Sequence, residues 1–434
     1  MQFNFRRTSM LQEPLHIIIV NDFGFVNGGA GKVALDSAKA LSDRGHRVGL
    51  FCGVGPVSSD LKGRDLQIVC TDQKEIISDP NRFRAAAQGI WNSRAADEMN
   101  RMLNGYNSSR TIVHIHGWTK ALSSAVIHVA LKRGFKVVIT LHDYFIACPN
   151  GGFIHHSDQT ICRRRPMSLS CMVSNCDRVG YSNKLWRVAR HFVQDKVGNV
   201  PRGVKYFISL GEFSEGVLRP FLPDGAKLFR VLNPIQVSSG ELVDVEQNDG
   251  FVFVGRLSPE KGIQLLVQAG KIAECQVKLV GDGEERDRAL FLNPGIEITG
   301  WLSSAGVADR LKSARALVLP SLLYEVSPLV IWEAAALGIP AIVPDTCAAR
   351  DMVEDGVTGL WFRGGDMQDL AAKMRLLKNP ATAARMGEAA YKTYWSNPCT
   401  MERHVDSLEH CYYQVISDNT AVQSSNSNGS IPHE

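Results

Sequence analysis

No apolar run in the chain approaches the roughly 18 residues that would suggest a membrane-crossing helix. The start, "MQFNFRRTSMLQEPLHIIIV", is basic, but Gln12-Glu13-Pro14 interrupts any apolar core of a signal peptide. The expectation is therefore a cytoplasmic chain. Cysteine is too sparse for a disulfide framework: ten in 434 residues read as reduced thiols. No CxxC pair is present. A strong charge of one sign is missing too, with a net +4. What remains, 44% apolar and 21% charged, is the composition of a soluble globular protein. Its length exceeds one ordinary core, so two domains are expected.

The mild charge is unevenly spread. Residues 160–205 hold ten Lys/Arg against Asp177 and Asp195, a local balance of +8. Such a patch suits anionic lipid head groups, phosphorylated substrates or nucleic acid, or is simply a solvated basic face. Of these partners an anionic membrane surface is retained and nucleic acid is not. Within the patch, "NKLWRVARHF" (183–192) is a basic amphipathic helix candidate. It either docks on a membrane beside Arg163, Arg164 and Arg165 or packs Leu185, Trp186 and Val188 into the core.

Short β-rich runs alternate with helical stretches, which argues for parallel sheets with crossover helices. "HIIIV" (16–20) reads as a buried strand, followed by the glycine-rich "NGGAGK" (27–32) and a helix closing at Gly45. Further strands are expected at 47–52, 111–116, 136–142 and 205–210. A second series opens at "FVFVGRL" (251–257) and runs through "QVKLVGDG", "ARALVLPS", "IPAIVPD" and "TGLWF". The fold class is α/β, with two doubly wound Rossmann-like domains facing across a cleft. The expected divisions are an extension (1–15), a first domain (16–232), a linker (233–250) and a second domain (251–390). A C-terminal helix packing back across the domains (391–416) and a disordered tail (417–434) complete them.

"YEVSPLVIWEAAALGIPAIV" (324–343) places Glu325 and Glu333 in an otherwise apolar run. The spacing predicts a helix over 328–337, with Ser327 as N-cap, Pro328 in the first turn and Gly338 past the end. Glu325 then precedes the helix at a strand's carboxyl end, where open α/β sheets bind ligands. The first amides, those of Leu329 and Val330, suit a phosphate. Glu333 is the lone charge on an apolar helix expected to be buried, and its carboxylate suits a sugar hydroxyl pair. The alternative is structural: Glu333 paired with an internal Arg, and Glu325 capping a turn. Upstream, "FVGRLSPEKG" sets Arg256 and Lys261 around a Ser-Pro turn, where both could reach one diphosphate.

These residues together resemble the retaining glycosyltransferases of family 4, which have the GT-B fold. The second domain carries the resemblance in "FVGRLSPEKGIQLLVQA", "VKLVGDG", "ITGWL", the Glu-x7-Glu run and "VEDGVTGLWF". The first domain is similar more loosely, through "NGGAGKVALDSAKALSDRGHRV" and "TLHDYF". The resemblance implies that Glu325 holds donor-sugar hydroxyls, Glu333 the ribose, and Arg256 and Lys261 the diphosphate. Gly281, Gly300 and Leu302 would border the nucleotide, and Gly28 and Gly29 the diphosphate. His142 would lie near the anomeric carbon. The implied reaction is transfer with retention from a UDP- or GDP-linked sugar to a polysaccharide or lipid-linked glycan, needing no cofactor and no metal. One departure stands at "TCAARD" (346–351), where the family usually shows a Gly-Gly pair before an acid.

Other motifs compete less well. "NGGAGKV" lacks the Walker A glycine and hydroxyl, since Val26 and Val33 stand there, so a P-loop NTPase is rejected. Cys148, Cys162, Cys171 and Cys176 cluster with 13, 8 and 4 intervening residues, a weakly zinc-like spacing that leaves a small structural zinc site open; His155 and His156 could substitute as ligands or, the favoured reading, are exposed loop residues. Two rival functions remain: a sugar-nucleotide isomerase or epimerase on the same scaffold, and a non-catalytic glycan-binding subunit.

Overall fold

A computed structural model of the chain describes residues 13–237 and 242–418. Residues 1–12 of the expected extension, 238–241 of the linker and 419–434 of the tail lie outside the described residues. The chain divides into two compact units, residues 1–139 with 408–434, and residues 140–407.

The first unit holds five parallel strands, β1 (His16–Phe23), β2 (Arg47–Val54), β3 (Leu66–Cys70), β4 (Thr111–Ile115) and β5 (Lys136–Thr140), in the order β3-β2-β1-β4-β5. β4 and β5 are buried along their whole length, as strands of a covered parallel sheet must be. Four helices alternate with them: α1 (Gly29–Asp43), α2 (Arg82–Ile90), α3 (Ser93–Leu103) and α4 (Ala125–Lys132). α1 ends as the sequence predicts. Gly45 takes φ 87°, its amide reaches Ser42 O and the His46 amide reaches Leu41 O, a paired C-terminal motif. At the carboxyl end of β1 the buried Asp22 carboxylate accepts the amides of Lys120, Ala121 and Leu122 at 2.8–3.0 Å.

The second unit begins with a two-stranded antiparallel pair, β6 (Ile154–His155) and β7 (Thr160–Ile161), and the helices α5 (Leu169–Met172) and α6 (Tyr181–Lys196). The parallel pair β8 (Tyr206–Ser209) and β9 (Lys227–Arg230) flanks α7 (Glu212–Leu218). A six-stranded sheet follows, built from β10 (Gly250–Val254), β11 (Val277–Val280), β12 (Glu297–Ile298), β13 (Ala314–Val318), β14 (Ala341–Pro344) and β15 (Gly359–Phe362). Its order is β12-β11-β10-β13-β14-β15, and all its pairings are parallel. The helices of this half are α8 (Ile263–Ala273), α9 (Arg286–Leu292), α10 (Ser304–Lys312), α11 (Val330–Ala336), α12 (Met367–Lys378) and α13 (Pro380–Ser396), while α14 (Met401–Ser417) starts in this unit and from residue 408 belongs to the first. α8 buries Ile263, Leu266, Val267, Gly270 and Ala273, a helical stripe laid on the sheet. Two parallel sheets covered by helices bear out the Rossmann-like fold class.

The expected linker is not uniformly polar. Val245 sits in the core at 2% exposure, and Val243 donates to Leu337 O. The buried Arg315 secures this stretch with main-chain bonds alone, to Val245 O at 2.8 Å, Glu246 O at 3.3 Å, Leu377 O at 3.3 Å and Lys378 O at 2.7 Å. Two of those carbonyls close the last turn of α12, where a cation meets the negative end of the helix dipole.

Candidate active site

Because β10 and β13 are parallel neighbours, the loops after them emerge at the same edge of the sheet. The first carries Arg256 and Lys261; the second carries Ser321 and Glu325. Lys261 Nζ lies 2.6 Å from Glu325 Oε1, and Ser321 Oγ donates to the same oxygen at 2.5 Å. Residues 64 apart in sequence therefore form one charged cluster. The loops are locked together by the Leu322 amide on Glu260 O and by Gly262, where a Cβ would strike Pro320 O. Glu325 is buried, and its own carbonyl accepts from the Tyr144 hydroxyl at 3.2 Å and the Ala348 amide at 3.3 Å.

Arg256 is largely exposed and points one guanidinium nitrogen at Glu260 Oε1, 3.2 Å away. Ser258 donates to that oxygen at 2.7 Å, while Glu260 Oε2 is buried with no hydrogen-bond partner among the described residues. Burial would raise the Glu260 carboxyl, but the Ser258 hydroxyl and the charges of Arg256 and Arg178 outweigh it and hold it below the usual range. Beside Glu260 opens a polar cavity of about 300 Å³, lined also by His156, Asp177, Arg178 and Glu284. Arg178 and Glu284 pair across its rim.

Other expected site residues fall differently. α11 starts at Val330, with Leu329 at the cap position and no side-chain cap. Ser327 therefore does not cap it, because the Ile331 amide closes a tight turn onto Pro328 O first. Gly338 does take the left-handed turn, at φ 75°. Glu333 lies in the first turn and is half-buried, as are Val330 and Trp332, so α11 is not the fully buried helix expected. Gly281 has a packing reason of its own: φ is 141°, and a Cβ there would collide with Gly255 O, where the tips of β10 and β11 meet. Gly300 bridges to Gly281, and Leu302 is exposed beside the exposed Trp301. The His142 imidazole is pushed down to about 3 by burial and by His404. Gly28 (φ 89°) and Gly29 open α1 in the first unit, with free space where a Cβ would sit.

Sequence reasoning missed Ser321 and Tyr144. Ser321 stands four positions before Glu325, and Tyr144 follows His142 in "LHDYF"; neither spacing announces a bond. The acid kept in "TCAARD", Asp351, accepts the Phe213 amide at 2.7 Å. His155 lies half-buried on β6, bonded to Ser157 and Ser174, and is not an exposed loop residue. All ten cysteines are free thiols, and among the described residues no group of three or more His, Cys, Asp or Glu is arranged to hold a metal ion. α6 buries Lys184, His191 and Gln194 and leaves Leu185 and Phe192 47% and 54% exposed, which overturns the packing of Leu185 into the core.

Two family models match the chain. Residues 239–393 match the model of the glycosyl transferases group 1, and residues 27–180 match that of glycosyltransferase family 4. The chain belongs to the family 4 glycosyltransferases. One relative of this chain is the alpha-D-kanosaminyltransferase of Streptomyces kanamyceticus, 31% identical over 32% of this chain and 39% of the relative. Another is the phosphatidyl-myo-inositol mannosyltransferase of Mycobacterium leprae, 33% identical over 33% of this chain and 42% of the relative. The chain spans roughly a third of the length of the curated relatives it matches, from 28% to 42% among these enzymes. In fold the chain is similar to sucrose-phosphate synthase of Thermosynechococcus elongatus, with TM-score 0.67, 17% identity, and coverage of 94% of this chain and all of that one. It is similar also to Anabaena HepE in complex with UDP, with TM-score 0.58, 16% identity, and coverage of 95% and 100%. No helix of the described residues is long and apolar enough to cross a membrane.

Proposed function

We propose that this family 4 chain is a retaining glycosyltransferase, moving a sugar from a UDP- or GDP-linked donor to a hydroxyl of a polysaccharide or lipid-linked glycan. The observation that carries the reading is the Lys261–Glu325–Ser321 cluster at the carboxyl edge of the second sheet. Lys261 and Ser321 fix one oxygen of Glu325, and the carboxylate keeps lone pairs for donor-sugar hydroxyls. Lys261 and Arg256 stand where they can neutralise the charge growing on a leaving diphosphate. In this reading the bond from anomeric carbon to phosphate oxygen breaks as the acceptor oxygen attacks the same face. The acceptor's proton passes to the departing diphosphate, and no metal is required. Glu333 would hold the ribose, with Gly281, Gly300 and Leu302 bordering the nucleotide and the neutral His142 facing the acceptor. Curated relatives named GDP-mannose-dependent, and a fold neighbour solved with UDP-glucose, support a nucleotide-sugar donor.

A peripheral seat on an anionic membrane is part of the proposal. Tyr181, Leu185 and Phe192 recur at i, i+4 and i+11, one outward stripe of α6, and all three are exposed. The Tyr181 hydroxyl bonds Met172 O, joining the stripe to exposed Leu169 and Val173 on and after α5 and to the exposed arginines 163–165. Apolar side chains rimmed by arginines match the interfacial region of an anionic bilayer.

The decisive assay is nucleotide release from UDP-, GDP- and ADP-sugars, with and without acceptor extract. Release that needs no acceptor and yields a rearranged sugar would favour isomerisation instead. Activity surviving both Glu325→Ala and Lys261→Ala would sink the site. For the membrane seat, flotation with phosphatidylglycerol vesicles at low salt should carry the wild type and not Leu185→Asp/Phe192→Asp; equal flotation of both refutes it.

A further inference from the structure

Lys184 on α6 is a charge in the wrong place for a surface helix: it is fully buried, at 0% exposure. Two sulfurs flank its ammonium, Cys176 Sγ at 3.3 Å and Cys171 Sγ at 3.5 Å. No carboxylate pairs with Lys184 among the described residues. A buried cation needs an anionic or strongly accepting neighbour, and the thiols are the groups within reach. Burial opposes the charged form, yet Cys171, Cys176 and Cys148 outweigh it and hold Lys184 above its ordinary value. The Cys176 sulfur is the more crowded acceptor, because the Asn150 side-chain amide also points at it from 3.6 Å.

We propose that Lys184 and Cys176 form a covalent modification site in which oxidation by peroxide bridges Nζ and Sγ through one oxygen atom, with Cys171 as the alternate sulfur. In the first step the sulfur attacks one peroxide oxygen; the S–O bond forms, the O–O bond breaks, the leaving hydroxide takes the S–H proton and departs as water, and the ammonium releases its extra proton to bulk water. The product is a sulfenic acid beside a neutral amine. A second peroxide then accepts two electrons as the N–O bond forms, and the sulfenic and amine protons leave with it as water. One thiol, one amine and two peroxides thus give one N–O–S link and three waters. Sulfur and nitrogen are each oxidised by two electrons. The nitrogen is held in place by the fold, so the link competes with further oxidation of the sulfur. It would fasten α6 to the segment that follows α5.

The test is peroxide treatment of the full-length protein under native conditions, followed by alkylation, trypsin digestion and mass mapping. The expected product joins the peptide of Lys184 to that of Cys176, with one oxygen gained and two hydrogens lost. Trypsin no longer cleaves after Lys184, and a thiol reductant restores the separate peptides. In Cys176→Ser the link should move to Cys171, whereas Cys162→Ser should leave it unchanged. A Cys171–Cys176 disulfide with Lys184 still cleavable, or two separate peptides after oxidation, overturns the proposal. The wild-type map alone decides this, so the result does not depend on whether any variant folds.

Discussion

Removing one partner of the Lys261–Glu325 pair should separate its structural weight from its chemical one. At 2.6 Å two unit charges in a partly buried setting attract by about 6 kcal/mol at an effective dielectric constant of ~20. Desolvation of both groups offsets most of that attraction. A lost partner in a fully buried pair costs ~3–5 kcal/mol; the side chains here keep 24% and 11% exposure, so about 3 kcal/mol is expected. For a unit of this size that corresponds to a melting-temperature drop of roughly 6–12 °C in either single variant. Lys261→Met/Glu325→Leu removes both charges and should recover most of the loss, because an apolar pair leaves no ion stranded. Activity should not recover. Loss of a preorganised cation at a developing oxyanion costs about 100–1,000-fold in turnover, and the double variant should stay at least that far down. The assay pairs thermal melts with nucleotide release at saturating donor sugar. A double variant that regains both stability and turnover would show that the pair only holds two loops together, and the catalytic reasoning would fall.

The acid limb of stability should carry the signature of buried imidazoles. His142 titrates at about 3 in the fold against 6.5 in the unfolded chain, so the unfolded state binds more protons between those values. Its contribution is present above pH ~6.5, declines as pH falls toward about 3 and is absent below; His142→Gln should flatten that slope in pH-dependent melts, and an unchanged slope would contradict it. Gly281→Ala should destabilise the fold by ~1–3 kcal/mol, seen as a lower melting temperature, because a Cβ on this positive-φ residue must displace Gly255 O; a melt like the wild type would refute the close approach.

Much of the second unit was legible because its strands are short runs of Val, Leu and Ile buried on both faces. Lys261 and Glu325 were each legible as site residues because both follow strands, but the ion pair between them was not read from the sequence. Ser321 was not: its hydroxyl matters only through the return of the loop to Glu325, which no local spacing encodes. Ser327 misled because Ser-Pro is a good helix start in general, but the Pro328–Ile331 turn took the first bond. For α6 the sequence left two faces open, one docking on a membrane and one packing Leu185, Trp186 and Val188 into the core; the structure turns Lys184, His191 and Gln194 inward instead and leaves Leu185 exposed. Gly281 gained a donor-side reading by resemblance, while the structure supplies a backbone reason for a residue without a side chain.

Arg315 makes a different demand on the chain. Every bond found for it ends on a main-chain carbonyl, at residues 245, 246, 377 and 378. None of those four side chains takes part in the bonds, although Val245 and Leu377 are held in the core for their own packing. No compensating acid need appear when they vary, so a search for co-varying charges would pass this anchor by. Only a shift of backbone releases it, which ties the entry to the second sheet and the end of α12 to each other through geometry rather than through sequence.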